Sequence, residues 1–218
     1  MEQINKQTLS EQIYQVLRGD ILSQAIPCGS KLTLRMLRDR FGVSHTPIRE
    51  ALTRLAEDEL VSYYSNVGVR VISLTADDAR ELFELTGDLD GLALRHACAS
   101  PQRAALVAAL GDVMRASAAA LARGDAADWN RWSDRFHLTL YQYAGNRRLT
   151  AASERLLAQL TLLINAYRLH DGSAALIERE HRAVCDALEA GDDDRAGQLL
   201  RLHLDNDLRR TQTAIAAR

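Results

Sequence analysis

LTLRMLRDRFGVSHTPIREALTRLAEDELV, residues Leu32 to Val61, is the stretch from which the rest of the chain is read. Thr33 is placed to cap a helix, and Leu34, Leu37 and Phe41 recur at helical spacing while Arg35, Arg38 and Arg40 point elsewhere. Gly42 closes that helix, because glycine reaches positive φ without a Cβ clash. Val43 plugs the turn, Ser44 caps a second helix, and Pro47 falls in its first turn, where a missing N–H costs nothing. Ile48, Leu52 and Leu55 then face inward, which leaves His45, Thr46 and Arg49 exposed at the N-terminal end.

Two such helices form a helix-turn-helix, which brings the start of its second helix to base edges in the major groove of DNA. Local charge agrees: between Thr33 and Arg54, five arginines stand against only Asp39 and Glu50. The alternative is a helical hairpin with a solvated basic face inside an all-α core. The next residues weaken that alternative. Leu60 to Tyr64 and Val69 to Ile72 read as two short strands around Ser65-Asn66-Val67-Gly68, a β-hairpin and hence a wing. Upstream, Thr8-Leu9-Ser10-Glu11 offers a capping box, and Ile13, Val16, Leu17 and Ile21 give a supporting helix its apolar face.

These residues resemble the GntR superfamily of bacterial transcriptional regulators. GVSHTPIREALTRL matches that family's turn and second helix, and the approach Pro27-Cys28-Gly29-Ser30-Lys31-Leu32 is similar too. Two positions depart from the pattern: His45 stands where the family usually has Arg, and Glu59 where it usually has Gly. Histidine can donate to a guanine acceptor, but without the two-pronged fork of arginine. The resemblance implies DNA contacts from Arg35, Ser44, His45, Thr46, Arg49, Asn66 and Gly68.

Composition sets outer bounds. The 218 residues, 47% of them hydrophobic, suffice for packed cores. No run reads as a membrane span and MEQINKQTLSEQ lacks a signal-peptide core, so a cytoplasmic protein without membrane contact is expected. Cys28, Cys98 and Cys185 show no metal spacing and read as buried thiols. The net charge of −2 averages two unlike parts. Residues 1–75 hold nine Lys/Arg against eight Asp/Glu, and the remainder eighteen against twenty-one, so the cationic surface is local to the first part.

Leu74-Thr75 is the expected boundary between a DNA-binding domain, 1–74, and an all-α domain, 75–218. Breaks at Ser100-Pro101, Gly124-Asp125, Gly145-Asn146, Asp171-Gly172-Ser173 and Gly191-Asp192 divide the latter into six helices. The fold class is therefore mainly α, a winged helix-turn-helix followed by a six-helix bundle. In the first bundle helix the expected inward stripe is Leu82, Leu85, Leu89 and Ala93.

Three later helices each put one histidine on an apolar face: His137 beside Phe136 and Tyr141, His181 beside Ile177 and Val184, His203 beside Leu200 and Leu204. One such histidine is commonly a hydrogen-bonded core residue. Three meeting in a cavity would leave costly unsatisfied nitrogens unless something binds them, and a divalent metal would do so. SDRFHLTLYQYAGNRRL and EHRAVCDALEAGDDDRAGQLLRLHL are similar to the FCD effector-binding domain found in one GntR branch. That resemblance implies a metal held by His137, His181, His203 and an aspartate one turn before the first. Ser133 occupies the aspartate position here, with Asp134 beside it, so Asp134 or waters would complete the shell. Zinc leads among the candidate ions, with nickel, iron and manganese also accepted by such donors. The family often meets its effector with an arginine where this chain has Thr86, and has glutamate where this chain has Asp90. Arg131 or Arg168 is therefore considered as an effector contact beside Thr86.

The expected protein is a homodimeric regulator of operator DNA, a repressor released by a small organic acid at the metal. A metalloenzyme is the alternative, since Asp134-Arg135-Phe136-His137 and Glu178-Arg179-Glu180-His181 resemble the acid-x-x-His pairs of di-iron bundles. That alternative needs inward glutamates on two other helices, where Glu81 and Glu84 lie off the stripe, and it gives His203 no role.

Overall fold

A computed structural model describes residues 8–64, 68–167 and 172–217. They form two compact units, Met1–Thr75 with Thr161–Ala166, and Ala76–Leu160 with Tyr167–Arg218.

The first unit runs α1 (Leu9–Leu22), β1 (Lys31–Leu32), α2 (Leu34–Phe41), α3 (His45–Glu57), β2 (Val61–Tyr64) and β3 (Gly68–Val71). The Thr8 side chain caps α1 by accepting from Glu11 N, and Thr33 caps α2 by accepting from Met36 N. Gly42 ends α2 at φ 67, donating its N–H to Arg38 O. Leu17, Ile21, Leu37, Ile48, Leu52 and Leu55 converge between the three helices, all nearly inaccessible to solvent. The strands form an antiparallel sheet in the order β1-β3-β2, with Lys31 opposite Arg70 and Tyr63 opposite Val69. The two-residue β1 carries no period-2 signal and was not foreseen from sequence.

The end of α3 is closed by two bonds: Glu59 N–H donates to Ala56 O and Leu60 N–H to Leu55 O. This geometry requires a left-handed residue one beyond the cap, and Glu59 supplies it at φ 56. Leu60 and Leu55, both fully buried, close the apolar contact beneath.

Six helices follow among the described residues: α4 (Ala76–Cys98), α5 (Arg103–Ala122), α6 (Ala126–Tyr143), α7 (Arg147–Tyr167), α8 (Ala174–Glu189) and α9 (Asp193–Ala216), all in the second unit except Thr161–Ala166 of α7. Asp125 and Asp192 cap α6 and α9 by accepting from backbone N–H groups three residues on. α4 packs on α9 and α6, α5 on α6 and α8, and α8 on α9. Leu94, Leu106, Leu110, Met114, Phe136 and Val184 fill the centre.

Three expectations need correction. The inward face of α4 is Leu82, Phe83, Thr86, Asp90, Ala93 and Leu94, whereas Leu85 is exposed; counting apolar residues alone missed a stripe that includes two buried polar ones. Cys28 and Cys98 are only half-buried, and Cys185 alone is inside. α5 is long and apolar enough, by length and composition, to cross a membrane, which the sequence reading did not register. Its Leu106, Leu110, Val113 and Met114 are core residues of the bundle.

Candidate functional site: the reading helix and a buried histidine cluster

The N-terminal turn of α3 presents His45, Thr46 and Arg49 to solvent. Arg49 has no partner among the described residues, so its guanidinium is available to a base edge or phosphate. Ser44 stands at the N-cap position but makes no side-chain capping bond, contrary to expectation. Its first-turn N–H groups are left for solvent or an anion. Arg35 is 86% exposed and only loosely opposed to Asp39 at 3.9 Å.

The other arginines are not equivalent. Arg40 pairs with Asp20 at 2.6 Å on α1. Arg54 pairs with Glu11, stacks 4.1 Å over the Tyr14 ring, and Tyr14 in turn donates to Asp58. Charge counting credited both to DNA, yet they are struts between α1 and the reading helices. Two cationic groups that sequence reasoning counted in the local charge but gave no contact lie beside the wing. Lys31 and Arg70 face each other in register, and a Cβ at Gly68 would stand 3.9 Å from Lys31 Cε. Gly68 is exposed at φ 99; Asn66 lies outside the described residues, as does Arg168.

In the bundle, His137 from α6, His181 from α8 and His203 from α9 meet, each buried, with ligand-capable nitrogens all within 4.8 Å of one another. His181 Nε2 and His203 Nε2 are 3.1 Å apart. Phe136 stacks on the His181 ring at 4.0 Å and holds its plane.

The outer ring nitrogens are held by carboxylates. His137 Nδ1 is 2.6 Å from Asp90 Oδ2, and Asp90 Oδ1 accepts from the Tyr141 hydroxyl at 2.5 Å. His203 Nδ1 is 2.8 Å from Glu180 Oε2, while Glu180 also accepts from Asn206 and Arg210. A carboxylate only accepts, so each Nδ1 carries a proton, and in the neutral ring each Nε2 keeps the lone pair that a ligand needs. Burial works against a charged His137, but attraction and hydrogen bonding from Asp90 outweigh it and raise its pKa, with lesser help from Asp207 and then Asp134. Burial pushes the Glu180 carboxyl up, yet bonds from His203 and Arg210 bring it down to about 2.

A metal fits this donor set. Ligating histidines typically donate their other N–H to a carboxylate, which fixes tautomer and ring orientation. Four donors around zinc at about 2.0–2.1 Å would stand roughly 3.4 Å from one another, close to the 3.1 Å between His181 and His203. Thr86, one turn before Asp90 on the same helix, is 1% exposed and its Oγ1 has no hydrogen-bond partner.

The remaining sequence candidates fall elsewhere. Asp134 is half-buried and does not enter the histidine group. Arg131 is 72% exposed and donates to Asp128, so it does not join the histidines. Glu81 and Glu84 are exposed and paired with Arg80, which removes the inward glutamates that a di-iron site needs. Sequence reasoning missed Asp207 and Arg210. Asp207 follows His203 by four residues, and that i,i+4 spacing was the available signal.

Comparison with known proteins adds two matched families. Residues 9–71 match "Bacterial regulatory proteins, gntR family", and residues 81–206 match the FCD domain. An uncharacterized HTH-type transcriptional regulator of Agrobacterium vitis, from the TAR-I ttuE-ttuC' intergenic region, is 34% identical over 58% of this chain and 75% of its own length. The HTH-type transcriptional repressor RspR of Escherichia coli is 27% identical over 91% of this chain and 86% of its own. Among solved structures, Escherichia coli McbR/YncC superposes with a TM-score of 0.79 at 20% identity, covering 95% of this chain and 99% of that one. That likeness speaks to fold.

Proposed function

Because the chain belongs to the bacterial GntR regulatory family and carries an FCD domain, it is a DNA-binding transcriptional regulator, and we propose a repressor released from its operator by a small organic acid. In this reading residues 1–74 address DNA, while 75–218 hold a divalent metal at His137, His181 and His203 and make the homodimer contacts. One observation carries it: three buried histidines from three helices converge on one point with two of their outer nitrogens tied to carboxylates.

The ion would supply Lewis acidity, and the chain's own residues would do the rest. Asp90 and Glu180 hold His137 and His203 in the tautomer that offers Nε2. Phe136 limits rotation of His181. The unpartnered Thr86 hydroxyl is a buried polar group whose cost a bound acid would relieve. An acid that contacts groups from several helices distinguishes two arrangements of those helices, and such a difference is what allows a ligand to shift an equilibrium. A dimer doubles the phosphate and base contacts available to one winged helix. Assignment as a repressor follows relatives named as repressors, RspR among them, and a cytoplasmic location is the one that fits a protein addressing operator DNA.

The test uses operator fragments selected from random-sequence DNA, then challenged with lactate, malate and citrate in the presence of zinc. Release of DNA by one of these acids, lost in His203→Ala, is the expected result. Release that persists undiminished in His203→Ala, with full metal content, would refute the histidine site.

A further inference from the structure

We propose that the carboxylate completing the metal site is Asp207 of α9, positioned by Arg210, and not a residue of α6. The proposal rests on the tri-histidine reading and names its fourth ligand. One turn before His137 the chain has Ser133, a buried hydroxyl, and Asp134 enters no group of mutually close donors. Asp207 does enter one, with His203 and Glu180, and its Oδ2 is 3.5 Å from His203 Nε2, the very nitrogen that faces His181. That spacing is close to the roughly 3.4 Å between two donors sharing a tetrahedral ion.

Asp207 is also held as a ligand should be. Its side chain is 11% exposed, and Arg210 donates to Oδ1 through Nε at 2.9 Å and Nη2 at 2.6 Å. This two-pronged grip leaves Oδ2 turned toward His203 Nε2. Arg210 grips Glu180 at the same time, 2.7 Å from Oε2, so one guanidinium orients both the fourth ligand and the carboxylate behind His203. Ligating carboxylates are regularly tied down by such second partners.

Charge points the same way. Asp90, Glu180 and Asp207 bring three negative charges into this buried region and Arg210 one positive. Carboxylates therefore outnumber the guanidinium, and an excess of buried negative charge favours a bound cation. Asp207 lies four residues after His203, so both ligands come from adjacent turns of one helix.

The experiment measures cobalt(II) binding to the full chain by chelator competition and by visible absorption, in wild type, Asp207→Asn and Asp134→Asn, with circular dichroism to check folding. Asparagine keeps the shape of Asp207 and an oxygen for Arg210, but loses the anionic donor. Asp207→Asn should weaken cobalt binding at least about tenfold and alter the ligand-field bands, while Asp134→Asn stays within about threefold of wild type with an unchanged spectrum. If Asp207→Asn fails to fold, Asp207→Ala decides in its place, with a loss of cobalt affinity in the same direction. Asp134→Asn losing the ion while Asp207→Asn keeps it overturns the assignment alone. Wild type that binds no cobalt overturns this assignment and the tri-histidine reading together.

Discussion

Replacing Glu59 by glycine should stabilise the winged helix. Glu59 sits one residue past the α3 cap at φ 56, where its N–H and that of Leu60 close the helix. A side chain with a Cβ in this left-handed region costs about 1–2 kcal/mol, because the Cβ crowds the following carbonyl. Glycine removes that cost but adds roughly 0.5–1 kcal/mol of backbone entropy to the unfolded chain. The net expectation is about 0.5–1 kcal/mol in favour of Glu59→Gly, measured by urea denaturation followed by circular dichroism. Glu59→Ala separates the two contributions: it keeps the Cβ, so it should gain nothing. Gly42→Ala runs the same experiment with opposite sign, since Gly42 has φ 67 and an added Cβ would meet nothing within 4 Å. It should lose about 0.5–1 kcal/mol net, by the same two opposing contributions. If Glu59→Gly is neutral or destabilising while Glu59→Ala matches it, the left-handed turn is not where the strain lies.

Other perturbations address DNA and the histidine cluster. Arg49→Ala should weaken specific operator binding by about 1–3 kcal/mol and relax base preference, whereas Arg35→Ala should weaken all sequences alike and flatten the salt dependence; gel-shift titrations at several salt concentrations separate them. Arg54→Ala, which breaks the link to Glu11 and Tyr14, should show in melting temperature before it shows in base preference. Asp90→Asn should lower zinc affinity roughly 10–100-fold by loosening His137. A variant with unaltered affinity would mean that the Asp90 bond has no bearing on the ion. Phe136→Ala, losing a fully buried ring stacked on His181, should destabilise by about 3–5 kcal/mol in the same denaturation assay.

Much of the winged helix was legible because its signals are local. Thr33, Gly42 and the Ile48, Leu52, Leu55 stripe act over three or four residues, within reach of pattern reading. The unpaired Arg49 and the engaged Arg54 look alike in sequence, and only the long-range partners Glu11 and Tyr14 tell them apart. The histidines were visible as three exceptions on apolar faces. Their carboxylate partners were harder, since Asp90 and Glu180 lie 47 residues before His137 and 23 before His203. The α4 stripe misled for a related reason: periodicity counts apolar residues, and Thr86 and Asp90 are polar residues on the buried face. The outward Leu85 is the counterpart, a leucine left exposed.

The split carboxylate of Asp90 pins α4 to α6 at two points. One oxygen is committed to His137 and the other to Tyr141, both on α6, so the carboxylate cannot rotate without losing one of its two bonds. Asp90 stands fourteen residues into a helix that begins at Ala76, a span of about 21 Å at 1.5 Å per residue. Ala76 follows the wing strand β3 after four residues, 72–75, so the helix that carries Asp90 is also the one the chain enters on leaving the wing.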